Sequence, residues 1–220
     1  PTQDNAWATY LKAIEEFAVE CSFVKVFASE VLDYVVDEGV QIHGGNGYSA
    51  EYAVERAYRD SRINRIFEGT NEINRLLATG TLLKRAQRGQ LPLVEAVKKL
   101  MGELMAGPAF DEGAGDDWSA ENKMVANAKK AALLCLGAAY QRFLDKIEQQ
   151  QEVMAGIADI AMAAYAMEGV TLRAQKLEQA GKGTLPRAMA QVFNREQMDL
   201  VERTAKVVLA ACGEGDTLRT

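Results

Sequence analysis

The chain has 220 residues, with 25 Lys and Arg against 31 Asp and Glu, a formal net charge of −6 and 48% hydrophobic residues. That content is ample for a packed core and excludes intrinsic disorder as the main state, while the acidic balance argues against a nucleic-acid binder, whose Lys and Arg must offset phosphates. Three distant cysteines fit a reducing, cytoplasmic compartment, and the single histidine, His43, excludes multi-histidine metal sites and leaves any Ser or Cys nucleophile one imidazole to share.

The start, Pro1-Thr2-Gln3-Asp4, has no charged region ahead of an apolar core and does not read as a secretory signal. From Ala6 to about His43, apolar residues recur at spacings of three and four (Tyr10, Ile14, Phe17, Val24, Phe27, Val31, Leu32, Val35), which predicts a helix with one buried face. It stops at Gly44-Gly45-Asn46-Gly47, where glycine can take positive φ. A short helix is expected from Tyr52 to about Arg59, then a less regular stretch to Gly69. Thr70 is the expected N-cap of a helix reaching about Arg88, with Asn71 and Glu72 in its first turn and Ile73, Leu76, Leu77, Leu82 and Leu83 on one face.

Gly89-Gln90-Leu91-Pro92 reads as a domain junction, because Gly ends the preceding helix and Pro92 cannot sit inside the next. The expected domains are therefore 1–90 and 91–220. In the second, helices are expected at about 93–106, 119–148, 151–180 and 187–212. Pro108 to Asp117, a break near Gln149-Gln150, and Gly181 to Pro186 separate them, which suggests a bundle. The most apolar window, Val153 to Val170, is interrupted by Asp159 and reads as a buried helix rather than a membrane span, with Met154, Met162 and Met167 as adaptable core. No strand-period segment stands out, so the fold class is all-α.

Two motifs carry chemistry. In Gln41-Ile42-His43-Gly44-Gly45-Asn46-Gly47-Tyr48, the glycines serve equally as a plain helix stop or as backbone that a pyrophosphate or adenosine can approach closely, with Gln41 adding an amide. His43 alone reads as a packed histidine. In Ile66-Phe67-Glu68-Gly69-Thr70-Asn71-Glu72-Ile73, a carboxylate follows two apolar residues just outside a helix N-terminus, a place where apolar surroundings and the helix dipole act on a charge in opposite senses. Arg56, Arg59, Arg62 and Arg65 recur every three residues but lie near Glu55 and Asp60, and read as a solvated or ion-paired face.

The two motifs in this order, with Val54-Glu55-Arg56-Ala57-Tyr58-Arg59-Asp60 between them, closely resemble the C-terminal helical domain of flavin-dependent acyl-CoA dehydrogenases over roughly Ala13 to Arg88. The resemblance implies the all-α C-terminal helical bundle portion of that family, followed by a second helical bundle-like domain. It implies removal of the pro-R α-proton of an acyl-CoA substrate by a glutamate, with the β-hydrogen leaving as hydride to FAD, to give a trans-2-enoyl-CoA in fatty-acid β-oxidation. Glu68 matches the catalytic base, and Phe67 and Gly69 match substrate-lining positions. Thr70, Asn71 and Glu72 match a segment that contacts FAD. Gln41, Ile42, His43, Gly44 and Gly45 match one that approaches the FAD of a neighbouring subunit, which implies a homodimer, and electron-transferring flavoprotein is the implied acceptor.

A thioester α-proton is too weakly acidic for a solvated carboxylate, so the site must dry Glu68 and stabilise the enolate. Ile66 and Phe67 are expected to supply part of the dry wall. In the family, the thioester oxygen is held by the base residue's own backbone N–H and a flavin ribityl hydroxyl. The family's N-terminal helical and middle β-domains have no counterpart here, so the chain is expected to be a C-terminal fragment, inactive alone. Pro92 to Thr220 resembles the extra helical region of the very-long-chain branch, which tilts the expectation toward long acyl chains. Lys123, Lys129 and Lys130 are too few to expect membrane docking. Two other readings stand beside this one: a helical assembly module without turnover, which would be free to lose Glu68, and an acyl-CoA oxidase, distinguished by whether oxygen reoxidises the flavin.

Overall fold

The computed structural model describes residues 3–107 and 118–213, with side chains from Asn5 onward; the loop expected at Pro108 to Asp117 lies outside the described residues. Every regular element among the described residues is helical: α1 (Gln3–Glu16), α2 (Ala18–His43), α3 (Ala53–Ser61), α4 (Asn71–Gln87), α5 (Leu93–Ala106), α6 (Ser119–Phe143), α7 (Gln151–Gln179) and α8 (Leu185–Cys212), with 3₁₀ turns at Gly44–Tyr48, Arg62–Arg65 and Leu144–Gln149. The chain forms two compact units, Pro1–Thr81 and Leu82–Thr220, and the division falls inside α4.

In the first unit, α2 is the central element: α1, α3 and the first two 3₁₀ turns all pack on it. The single helix expected from Ala6 to His43 is two helices. At Phe17, ψ of 14° tilts one peptide out of the helical ladder, although Cys21 N–H still donates to the Phe17 carbonyl at 2.9 Å.

The face expected to be buried is also corrected. Tyr10, Ile14, Phe17, Val24, Val31, Leu32 and Val35 are exposed, from 40% at Leu32 to 69% at Ile14, and the buried positions of α2 are Val19, Ser22, Phe23, Val26, Ser29 and Val36. α2 carries apolar residues on two faces, and a period of 3.6 cannot say which of them meets the rest of the chain. In α4 the expected face is buried only in part: Leu83 is buried and Leu76 and Leu82 are half-buried, but Ile73 and Leu77 are half exposed, and Ala78 and Thr79 are buried beside them.

In the second unit, α6, α7 and α8 each pack on the other two, and α5 packs on α6. Met154, Met162 and Met167 lie in this core with Ile157, Ile160 and Val201. α7 is long and apolar enough to cross a membrane by length and composition, and half of its most apolar window is buried inside the unit.

Two boundaries differ from expectation. The helix begun at Ser119 ends at Phe143, because Leu144 turns to φ 49° and the chain continues as a 3₁₀ turn. α8 starts at Leu185 rather than 187, with Pro186 in its first turn, where the fixed φ of proline is already helical and its missing N–H has no partner to lose.

At one end of this bundle Trp118 Nε1 donates to Glu178 Oε2 at 2.8 Å, Arg187 Nη2 reaches the same oxygen at 2.8 Å, and the guanidinium lies 4.8 Å from the indole centroid. The start of α6 is thereby tied to the ends of α7 and α8 that face it.

Candidate functional site

The helix stop after α2 is made by Gly44, at φ 59° and ψ −143°, a conformation that L side chains avoid. Its N–H donates to the Gln41 carbonyl. A side chain at Gly47 is excluded by packing, since its Cβ would lie 2.5 Å from the Val40 carbonyl oxygen. Gly44 and Gly45 are different: nothing lies within 4 Å of where their Cβ atoms would be. Gln41 to Gly45 are all exposed, Ile42 at 82%. His43 Nδ1 donates to the Gly39 carbonyl at 2.8 Å, which fixes the ring against its own helix.

Glu68 sits at φ 53° and Gly69 at φ 81°, so the chain makes a left-handed turn before entering α4. Thr70 caps that helix as expected, its Oγ1 accepting from Ile73 N–H at 3.2 Å. The Glu72 carboxylate is held below its usual pKa range by its own backbone N–H, then by the Thr70 hydroxyl. The N-terminus of α4 therefore already has an anion of its own. Glu68, Phe67 and Ile66 are exposed in this chain, the two apolar residues at 44% and 48%. The dry wall expected of Ile66 and Phe67 is not closed by these residues alone.

The residues that hold this turn lie outside both motifs, on α2 and further along α4. Lys25 Nζ donates to the Gly69 carbonyl and to Asn71 Oδ1, each at 2.7 Å. Asn74 Nδ2 donates to the same Gly69 carbonyl at 2.8 Å. Asn71 is only 2% exposed; its amide nitrogen donates to Ser29 Oγ at 2.9 Å and to Glu30 Oε1 at 3.2 Å, and Arg75 Nη2 pairs with Glu30 at 2.8 Å. Both amide hydrogens of Asn71 are thus taken inside the chain. A signal was present in the sequence: Lys25 and Ser29 are polar residues one helical turn apart among apolar neighbours on α2, with Glu30 beside Ser29.

The two motifs do not come together within one chain. The Glu68 turn is anchored to α2 at Lys25 and Ser29, whereas Gln41 to Gly45 end that helix. At 1.5 Å per residue, the distance along α2 from Lys25 to Gln41 is about 24 Å. Of the arginine series, Arg59 pairs with Glu55 at 2.7 Å, which raises the Arg59 pKa, and Arg65 pairs with Asp33 at 2.9 Å. These pairs line an open polar cavity of about 360 Å³ that also includes Asp37, Tyr48 and Arg62.

Comparison with known proteins gives a consistent assignment. Residues 5–83 and residues 127–220 match two family models, both described as acyl-CoA dehydrogenase, C-terminal domain. A probable acyl-CoA dehydrogenase of Bacillus subtilis is 49% identical over 211 residues, covering 94% of this chain and 35% of the relative. The caffeyl-CoA reductase-Etf complex subunit CarC of Acetobacterium woodii is 47% identical over 66 residues, 30% of this chain and 17% of the relative. Among solved structures, an acyl-CoA dehydrogenase complexed with FAD from Bacillus anthracis superposes with a TM-score of 0.87 at 48% identity, covering 91% of this chain and 35% of that one. The chain spans about a third of the length of the relatives it matches along most of its own.

Proposed function

That the chain belongs to the acyl-CoA dehydrogenase family is the premise from which we propose that the whole protein is an FAD-dependent acyl-CoA dehydrogenase. This chain supplies its C-terminal helical domains, and Glu68 is its base. The observation that carries the reading is the Glu68 turn: a carboxylate at φ 53°, at the mouth of α4, with the next carbonyl pinned by two donors.

Glu68 accepts the α-proton of the acyl-CoA thioester, and its backbone N–H donates to the thioester oxygen as negative charge develops there. Phe67 and Gly69 line the acyl-CoA, and the remainder of the protein covers Ile66 and Phe67 to exclude water. FAD, when bound, accepts the β-hydrogen as hydride.

The residues present fit that cofactor. The backbone of Gly44 and Gly45 is open to close approach, and Gln41, Ile42 and His43 flank it. Thr70 and Glu72 offer a hydroxyl and a carboxylate that suit sugar hydroxyls, and Asn71, with its amide committed to α2, contributes its backbone. The separation of about 24 Å along α2 supports a homodimer in which the first segment serves the partner's FAD and the second its own.

The product is a trans-2-enoyl-CoA, as in fatty-acid β-oxidation, and long acyl chains are the proposed substrates by analogy with the very-long-chain branch. Electron-transferring flavoprotein is the proposed acceptor, supported by the relative named for an Etf complex, and the cytoplasm is the proposed location. The test is anaerobic addition of a long-chain acyl-CoA to the purified full-length protein. Its flavin absorbance should bleach, and Glu68→Gln should keep the flavin while slowing bleaching by about 100-fold or more. Reduction of Glu68→Gln at the wild-type rate would place the base elsewhere, and a flavin protein that no acyl-CoA reduces would favour a non-catalytic assembly module. Reoxidation by oxygen faster than by electron-transferring flavoprotein would mark an oxidase.

A further inference from the structure

Crowding between Cβ and the carbonyl oxygens disfavours positive φ for any residue but glycine, so the conformation of Glu68 must be imposed from outside the turn. The imposing contacts converge on one atom, the Gly69 carbonyl oxygen, which accepts from Lys25 Nζ at 2.7 Å on α2 and from Asn74 Nδ2 at 2.8 Å on α4. The Lys25 bond spans 44 positions of sequence, and being charge-assisted it is about twice as strong as a neutral one. The same ammonium donates to Asn71 Oδ1, so one charge bridges the residue after Glu68 and the first residue of α4.

We infer that Lys25 is a positioning residue for Glu68: by holding the Gly69 carbonyl, its ammonium fixes the Gly69–Thr70 peptide and, through it, the direction of the Glu68 carboxylate and backbone N–H. This inference rests on Glu68 being the base. The docking of α4 on α2 has other supports, since Asn71 bonds to Ser29 and Glu30, and Arg75 pairs with Glu30. Loss of the Lys25 ammonium therefore releases the turn while the helices stay docked.

The experiment follows anaerobic flavin reduction by acyl-CoA in the full-length, FAD-loaded protein. Lys25→Ala should retain its flavin and reduce it about 10- to 100-fold more slowly, since a misplacement near 1 Å costs on the order of 100-fold. The acyl-CoA concentration for half-maximal rate should change little. Added ethylamine, an ammonium donor at neutral pH, should speed Lys25→Ala and leave the wild type unchanged, a response that a loss of packing would not give. Reduction of Lys25→Ala at the wild-type rate, or a slow rate that ethylamine does not move, would overturn the inference. Where Lys25→Ala fails to retain flavin, Lys25→Met, which keeps the length of the side chain but has no donor, decides: full flavin with slower reduction supports the role, and an unchanged rate overturns it. Normal reduction in Lys25→Ala beside a silent Glu68→Gln removes Lys25 alone, whereas a wild-type enzyme that acyl-CoA does not reduce removes both assignments together.

Discussion

Glu68 and Leu144 are the non-glycine residues at positive φ among the described residues, and they differ in what surrounds them. Glu68 is held by the donors on the next carbonyl, whereas Leu144, at φ 49° and ψ −121°, is 57% exposed at the end of α6. A non-glycine residue there costs about 1–3 kcal/mol, and glycine adds under about 1 kcal/mol of unfolded-state entropy. Leu144→Gly should therefore stabilise the protein by about 1 kcal/mol, read as a rise in the urea midpoint; a fall would mean that the leucine side chain contributes more by burial than its backbone costs. Gly45 is the cleaner position for testing cofactor approach, because its φ is not in the positive range and the space around it is open. Gly45→Val should leave thermal stability nearly unchanged while lowering FAD retention in the full-length protein, and unchanged flavin content would favour the plain helix stop. Burial pushes the Cys135 thiol to about 12, with a smaller contribution from Cys212. Its thiolate fraction at pH 8 is then on the order of 10⁻⁴, so Cys135 should be the last of the three cysteines to react with a disulfide reagent in the native chain.

Close approach of α7 to α8 depends on Gly156, where a Cβ would lie 2.7 Å from Val208 Cγ2 and 3.4 Å from Thr204 Cγ2. Alanine there gains about 1 kcal/mol of helix propensity but forces two helices apart, which typically costs 1–3 kcal/mol. Gly156→Ala should thus lower stability, and Gly156→Ala combined with Val208→Ala should be more stable than Val208→Ala alone; additive effects in a double-mutant cycle would mean that the two positions do not meet. In the same pair of helices, Asn194 Nδ2 donates to Thr171 Oγ1 at 2.9 Å with both residues buried. Thr171→Val should cost about 1–3 kcal/mol by stranding the amide. Element type and most helix ends were legible in the sequence, because glycine, proline and the Thr70 cap act locally. Which face of α2 or α4 is buried was not, because both helices are apolar on more than one side. The break at Phe17 has no glycine or proline to announce it.

At the scale of the whole molecule, Phe17, Val24, Val31, Val35 and Ile42 recur along α2 at steps of seven and four and remain exposed, from 43% at Val31 to 82% at Ile42. That spacing is the seam by which helices pack against one another, and an exposed apolar stripe of this kind marks an interaction surface. It fits a chain that spans 35% of its relatives. The 220-residue chain should bind the hydrophobic dye ANS through this stripe, and Val31→Glu with Val35→Glu should weaken that binding. Dye fluorescence unchanged by the two substitutions would place the sticky surface elsewhere.

The sequence by itself determined the helical class, the glycine-rich stop after α2, the cap at Thr70 and the order of two motifs that together resemble one family, because these are written in local chemistry and in spacing. Tertiary structure alone decided that the Glu68 turn is anchored at Lys25 and Ser29, well short of the glycine-rich end of α2, that both amide hydrogens of Asn71 are taken inside the chain, and that Lys25 reaches 44 positions to pin the carbonyl beside Glu68. Those facts depend on which face of α2 meets the start of α4: the polar residues Lys25, Ser29 and Glu30 interrupt an apolar stretch of α2, but nothing local to either segment names their partner 41 to 46 positions away.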